Sequence, residues 1–324
     1  MCTAVSFNTK DHYFGRNLDL ELSYGEKPVI TPRNYEFKLR KMKAMTSHYA
    51  MIGIAAVFDD YPLYFDAVNE YGLGMGGLNF EENAYYPEFD STKDNVASFE
   101  FIPYILGNSK TVAEAKELLK NINIYSEAFS EELPPSPLHW MIADKNSSIV
   151  VESTKEGLKV YDNPVGVLTN NPTFDKQLFS LNYFRAVSDK TPANNFYPDV
   201  DLDVYSRGMG TLGLPGDLTS TSRFVKATFT KAHSVCKDDE NSSVGQFFHI
   251  LGSVEQQKGC CNVGDDKYEY TIYSDCYNTE KGIFYYKTYE NNQITALDMH
   301  KVDLDATELT VYPFNDEQQI NFAN

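Results

Sequence analysis

The sequence predicts a layered α+β fold built on antiparallel sheets. Three observations carry this. Strand-like runs come in consecutive groups, few helical segments separate the groups, and the helices are long enough to cover a sheet face. Consecutive strands pair antiparallel through short turns, whereas a βαβ array needs a crossover between successive parallel strands.

Runs 2–9 and 12–19 flank Lys10-Asp11 and read as a hairpin. Apolar strand runs follow at 50–57, 63–69 and 73–80. Thr111 and Glu114 form a capping-box signature that opens an amphipathic helix to about residue 121. Segment 126–137, rich in Ser, Glu and Pro, reads as a loop, and three strand runs lie at 138–145, 148–154 and 157–162. Phe174, Leu178 and Leu181 have helical spacing just after Pro172. A helix is expected over Ser222–Cys236, with Val225, Phe229, Ala232 and Cys236 as its apolar stripe. Another is expected from Val244 to Gln257 with Phe247, Leu251 and Val254 on one face. The chain closes with Tyr-rich strand runs at 268–277, 282–289 and 293–299. No internal repeat or low-complexity linker divides it, so a single domain over residues 1–324 is expected.

A composition of 42% hydrophobic and 14% aromatic residues is that of a globular chain able to bury a large core. The net charge of −18, from 28 basic and 46 acidic residues, repels nucleic acid and anionic membranes. No apolar run approaches the roughly 20 residues of a membrane span. The opening MCTAVSFNTK lacks the basic and long apolar regions of a signal peptide, and five irregularly spaced cysteines suit a reducing compartment. A cytoplasmic location is the expectation.

Several motifs match only as letters. Gly208-Met-Gly210-Thr-Leu-Gly213 has dinucleotide-fingerprint spacing, but Leu214-Pro215-Gly216 reads as a turn where the fingerprint requires a helix. Asp199, Asp201 and Asp203 resemble the start of a calcium loop, yet Val204 and Gly210 fall where Gly and Glu are required. HExxH, paired CxxC and GxSxG are absent. His139, beside the sole Trp140, reads as a hydrogen-bonded core histidine.

Cys2 remains. A small residue after Met1 is commonly inert, but this one begins an amphipathic strand that would anchor the terminus in a sheet. Removal of Met1 would give one residue bearing a thiol and an α-amine, with ordinary pKa values near 8.5 and 7.7–8.0. The amine can therefore accept the thiol proton, which makes Cys2 a nucleophile with its own base.

Five separated segments then point one way. They are Cys2-Thr3, Phe14-Gly15-Arg16-Asn17-Leu18-Asp19, Gly76-Gly77-Leu78-Asn79-Phe80, Leu168-Thr169-Asn170-Asn171-Pro172 and Ser222-Arg223-Phe224. In this order the chain resembles, along essentially its whole length, the choloylglycine hydrolase family of N-terminal nucleophile hydrolases, which includes bacterial bile salt hydrolases. The resemblance implies a four-layer αββα sandwich of two antiparallel sheets and hydrolysis of glycine- or taurine-conjugated bile salts. It implies no cofactor and no metal, and it implies a homotetramer. Cys2 would be the nucleophile and its amine the base. Arg16 would favour the thiolate, Asp19 would hold the amine, and Asn79 would contribute to the oxyanion hole. Asn170 would position the substrate amide and the amine, and Arg223 would complete the polar network. Leu18, Tyr24, Phe58, Phe65, Phe129 and Leu133 fall in segments that line the family's pocket, although each also reads as general core.

Some of these positions carry independent signals. Arg223 falls near a predicted helix N-terminus, where the helix dipole disfavours a cation and a buried partner would explain it. Asn79 follows a glycine-rich stretch suited to close backbone approach, though it also reads as a turn asparagine. Arg16 and Asp19 point to opposite faces of an ideal strand, so the implied roles require the strand to bulge or end between them. Asn79 favours bile salts over penicillin V, since the family's penicillin V acylases tend to carry Tyr there. Penicillin V hydrolysis, acyl transfer to an amine and a sterol-binding protein with a retired site stay open as alternatives.

Overall fold

The computed structural model describes residues 1–324. Strands β1 (Cys2–Asn8), β2 (His12–Leu20), β3 (Lys27–Thr31), β4 (Met51–Phe58), β5 (Tyr61–Asn69), β6 (Gly74–Asn79) and β7 (Asp94–Ala97) precede helices α1 (Phe101–Asn108) and α2 (Val112–Leu119). Then come β8 (Ile122–Tyr125), β9 (Leu138–Ala143), β10 (Ser148–Thr154), β11 (Gly157–Asp162) and β12 (Val167–Leu168). Helices α3 (Phe174–Ser180), α4 (Ser220–Ala232) and α5 (Glu240–Gly252) follow. The chain ends with β13 (Cys261–Gly264), β14 (Lys267–Asn278), β15 (Ile283–Thr288), β16 (Thr295–Asp298) and β17 (Thr310–Val311).

The first sheet has the order β12-β1-β2-β14-β15-β16, with β13 added to β14; the second runs β11-β10-β9-β6-β5-β4-β3-β17. All their pairings are antiparallel. One core joins the facing surfaces of the two sheets (Ala4, Phe14, Ile54, Leu78, Met141), and Val5 on the outer face of the first, to Phe224, Phe247 and Leu251 of α4 and α5. A second core packs the far face of the second sheet (Met75, Trp140, Ile142) on Phe101, Ile105 and Ala115 of α1 and α2. The layers are therefore α, β, β, α, as expected.

Local chemistry sets the turns. The first hairpin closes at Lys10-Asp11 with the Thr9 N–H donating to Asp11 O at 3.0 Å. Asp59 and Asp60 both adopt positive φ, at 49° and 59°, which is the type I′ geometry suited to joining twisted strands. Thr111 caps α2 by accepting the Glu114 N–H at 3.2 Å, but Glu114 reaches the Lys110 N–H instead of completing a reciprocal box.

Four departures stand out. Helix α1 was not anticipated: FIPYILGN is apolar on nearly every side and carries no helical periodicity, while Pro103 falls in the first turn, where proline is tolerated. The chain also contains a small parallel ribbon, β7 on β8. Helix α4 ends at Ala232, so Cys236 meets the core from a coil, and Ala232 is exposed, because the buried face runs through Arg223, Phe224 and Ala227. Helix α5 begins at Glu240, capped by the Asp239 carboxylate accepting the Ser242 N–H at 2.9 Å, and it ends at Gly252; Val254 is buried beyond it. The glycine-rich segment at 208–213 forms a short 3-10 turn, with neither a strand before it nor a helix after it.

Candidate active site

Cys2 opens β1 and pairs with Leu18 across the hairpin, so Cys2, Leu18 and Arg16 share one face of the first sheet. The thiol side chain is 2% exposed. No bulge interrupts β2. The β1–β2 register is regular from Asn8↔His12 to Cys2↔Leu18, and the irregularity lies on β14, where Ile272 is the extra residue opposite Leu18 and Asp19. Arg16 and Asp19 consequently stay on opposite faces, which corrects the expected bulge.

On the outer face of this sheet, Asp19 accepts from the Thr271 hydroxyl at 2.5 Å and from Gln256 Nε2 at 3.2 Å, and it lies 3.8 Å from Arg223 Nη1. Burial pushes its carboxyl above the ordinary range, against the opposing charge of Arg223. The Cys2 nitrogen does not bond to this carboxylate. It donates to Asn170 Oδ1 at 2.8 Å.

Asn170 is the junction of the site. Its Oδ1 also accepts from Arg223 Nη2 at 2.7 Å, and its Nδ2 donates to Asn79 O at 2.8 Å. Its own N–H donates to Ser220 Oγ at 2.8 Å, at the start of α4. Arg223 Nη1 donates to Cys2 O at 2.6 Å and to Thr3 Oγ1 at 2.7 Å, and Nε donates to Leu218 O at 3.0 Å. These are the buried partners its place near a helix start called for. Burial lowers its pKa, while Asp19 and Cys2 pull it up.

Arg16 is 1% exposed and donates from Nη1 to Gly77 O at 2.5 Å and to Phe65 O at 3.1 Å, which ties the first sheet to the second. Phe65 is the extra residue of a bulge in β5, between the partners of Ile54 and Ala55. Burial opposes the Arg16 charge, but Cys2, Tyr273, Asp66 and Asp275 together raise its pKa above the ordinary value. Asn79 ends β6 half-buried, and its side-chain amide makes no hydrogen bond.

Of the expected pocket residues, Leu18 and Phe65 lie beside Cys2 and Arg16, and Tyr24 lies against Phe65. Leu18 is the cross-strand partner of Cys2, and the Tyr24 ring lies 6.2 Å from that of Phe65. Phe58 ends β4, opposite Tyr61 at the hairpin tip. Phe129 packs instead on Tyr61 and Phe99 at 5.7 and 5.3 Å, in the second core. Leu133 closes a turn with Phe129, to which its carbonyl is bonded at 3.0 Å. Two polar pockets of about 270 and 340 Å³ open at the other end of the hairpin, around Lys10 and around Asn8, and neither includes Cys2.

Supporting residues were missed. His139 is buried as expected, stacked on Phe80 at 4.2 Å, but its Nε2 also bonds Thr169 O at 2.9 Å, directly before Asn170. Its Nδ1 lies 3.2 Å from Glu152, which also accepts the Phe174 N–H at 2.9 Å. Gln177 donates to Asn170 O. Asp66 and Asp275 are also buried beside Arg16; an acid inside an apolar strand, as in Tyr64-Phe-Asp66-Ala-Val, was the available signal.

Residues 2–312 match the profile of linear amide C–N hydrolases, choloylglycine hydrolase family. The chain belongs to the choloylglycine hydrolase family. It is therefore a hydrolase of linear amide C–N bonds. It is 56% identical over the full length of both chains to the "Bile salt hydrolase/transferase" of Lactiplantibacillus plantarum. A crystal structure of a mutant conjugated bile acid hydrolase from Clostridium perfringens superposes with a TM-score of 0.93 at 41% identity, covering 100% of both chains. Penicillin V acylase from Agrobacterium tumefaciens shares the fold, with a TM-score of 0.77 at 20% identity over 97% of this chain and 91% of that one. No helix is long and apolar enough to cross a membrane.

Proposed function

We propose that this enzyme hydrolyses the amide joining a bile acid to glycine or taurine, with Cys2 as nucleophile after Met1 is removed. The observation that carries the mechanism is the junction at Asn170, where one side-chain oxygen holds both the Cys2 nitrogen and Arg223. In the processed enzyme that nitrogen is a primary amine. Fixed by Asn170, it takes the thiol proton and later delivers it to the leaving nitrogen. Arg16, on the thiol's face, favours the thiolate by charge. The unbonded amide of Asn79 is free to donate to the oxyanion, a contribution worth roughly 3–4 kcal/mol per donor in other hydrolases. Water then releases the bile acid from the thioester.

Asp19 acts through Arg223 in this reading, since its carboxylate lies 3.8 Å from that guanidinium and on the opposite face from the thiol. Full-length identity of 56% to a bile salt hydrolase/transferase supports the substrate class, and the transferase activity in that relative's name supports capture of the thioester by an amine as a second outcome. The homotetramer belongs to the same proposal. Phe196, Tyr183 and Tyr205 are exposed aromatics between α3 and α4, of the kind such assembly would cover.

The test pairs intact mass with release of glycine and taurine from conjugated bile salts. Loss of Met1, with release that disappears in Cys2→Ala, is the expected result. Undiminished release from Cys2→Ala would refute the mechanism, and an active nucleophile that spares bile salts but opens penicillin V would move the substrate.

A further inference from the structure

Behind Arg16 lies a buried polar group for which the reaction above has no use. Asp66, on β5, accepts hydroxyl hydrogen bonds from Tyr277 at 2.6 Å and Tyr273 at 2.7 Å, and it lies 3.9 Å from Arg16 Nε. Asp275, on β14, accepts the backbone N–H of Arg16 at 2.7 Å through Oδ1. Its other oxygen, Oδ2, is buried with no donor facing it, and so is Arg16 Nη2 with no acceptor. All five side chains are sealed from solvent.

Two carboxylates and one guanidinium in a dry site would leave an excess negative charge and an orphaned oxygen, both costly. A proton on Asp275 removes both problems, because a protonated carboxyl becomes a donor, and Asp66 is the adjacent acceptor. Burial and the Asp66 charge both drive Asp275 well above the usual carboxylate range, in the same direction as the geometry. The arrangement is the shared-proton logic of closely placed acids.

We propose that Asp66 and Asp275 are positioning residues for Cys2: one proton held between them leaves a single negative charge that orients Arg16 and limits how strongly its guanidinium favours the thiolate. Arg16 couples the pair to the sulfur, since it shares the face of Cys2 and feels its charge. The free Nη2 is then the donor left over for the thiolate or for substrate. The charged and titratable groups around the pair are Arg16, Cys2, Tyr273, Tyr277 and, next to Asp275 in β14, Cys276.

This inference rests on Cys2 as nucleophile, so its test reads the thiolate itself, while bile-salt release by Cys2→Ala tests that premise separately. Infrared spectra of aspartate-labelled enzyme at neutral pH should contain a protonated carboxyl band that disappears in Asp275→Asn or in Asp66→Asn. In the double variant, which removes the remaining negative charge, the pH midpoint of Cys2 alkylation by iodoacetamide should move acidward by about one unit. Absence of the band, or its persistence in both single variants, would overturn the shared proton. A folded double variant with an unmoved midpoint would overturn the coupling to Cys2. Should the double variant fail to fold, the infrared comparison alone decides whether the proton is shared.

Discussion

Truncating Asn170 to alanine removes three hydrogen bonds at one stroke: from the Cys2 nitrogen, from Arg223 Nη2 and to Asn79 O, at 2.8, 2.7 and 2.8 Å. A neutral bond is worth about 1 kcal/mol and one to a charged group about 2 kcal/mol, which places the ceiling near 4 kcal/mol. Water entering the vacated space would recover part of this, so the expected loss in denaturant midpoint corresponds to about 2–4 kcal/mol. The kinetic effect should be larger in kind. Arg223 keeps its bonds to Cys2 O and Thr3 Oγ1, so the strand stays in place while the nitrogen loses its acceptor. Misplacement of a catalytic group by about 1 Å costs on the order of 100-fold, and kcat should fall by at least that with KM little changed. Asn170→Asp, which keeps the acceptor, should restore much of the stability by pairing with Arg223, though it loses the donor to Asn79 O. An Asn170→Ala enzyme that melts with the wild type and turns over within about threefold of it would refute the junction as the element that holds the Cys2 nitrogen.

Two further outcomes follow from the same geometry. Gly15 has its backbone against β14, where an added Cβ would sit 2.2 Å from Asp275 O; Gly15→Ala should destabilise the fold by on the order of 1–3 kcal/mol or more in urea, and no change would mean the strands have slack there. His12, buried between the hydroxyls of Ser6 and Thr279 at 2.9 Å each, is lowered from 6.5 to about 4 by burial. The unfolded chain therefore binds the proton first as pH falls, and the stability present above 6.5 drains away towards 4. Across that window wild type should lose about 3 kcal/mol relative to His12→Asn, and parallel melting curves would contradict it.

What the sequence made legible depended on how locally each feature is encoded. The first hairpin was readable because its turn and both strands lie within 20 residues. The polar positions of the site were readable only through separated motifs, since Cys2, Asn79, Asn170 and Arg223 meet from β1, β6, the segment after β12 and α4. Helix α1 was hidden because an element buried on most sides loses the periodicity that marks a half-exposed one. The straight course of β2 was hidden for another reason: the irregularity that accommodates Asp19 belongs to its partner β14, more than 250 residues away, and single-strand patterns carry no register. Phe129 was expected in the pocket from the family resemblance of its segment, yet its ring packs on Tyr61 and Phe99.

The solitary Trp140 gives this architecture an optical asymmetry. Its indole lies in the outer core, edge-on to Phe101 at 4.7 Å, with its N–H buried and unbonded. Emission from that ring reports the contact between α1 and the second sheet and is silent about the layer in which Cys2 sits. Alkylation of Cys2, resolved by peptide mass from the more accessible Cys236, Cys260 and Cys261, watches the other interface. Following both signals through a denaturant jump would time the two halves of the sandwich with separate clocks, without introducing a foreign dye into either core.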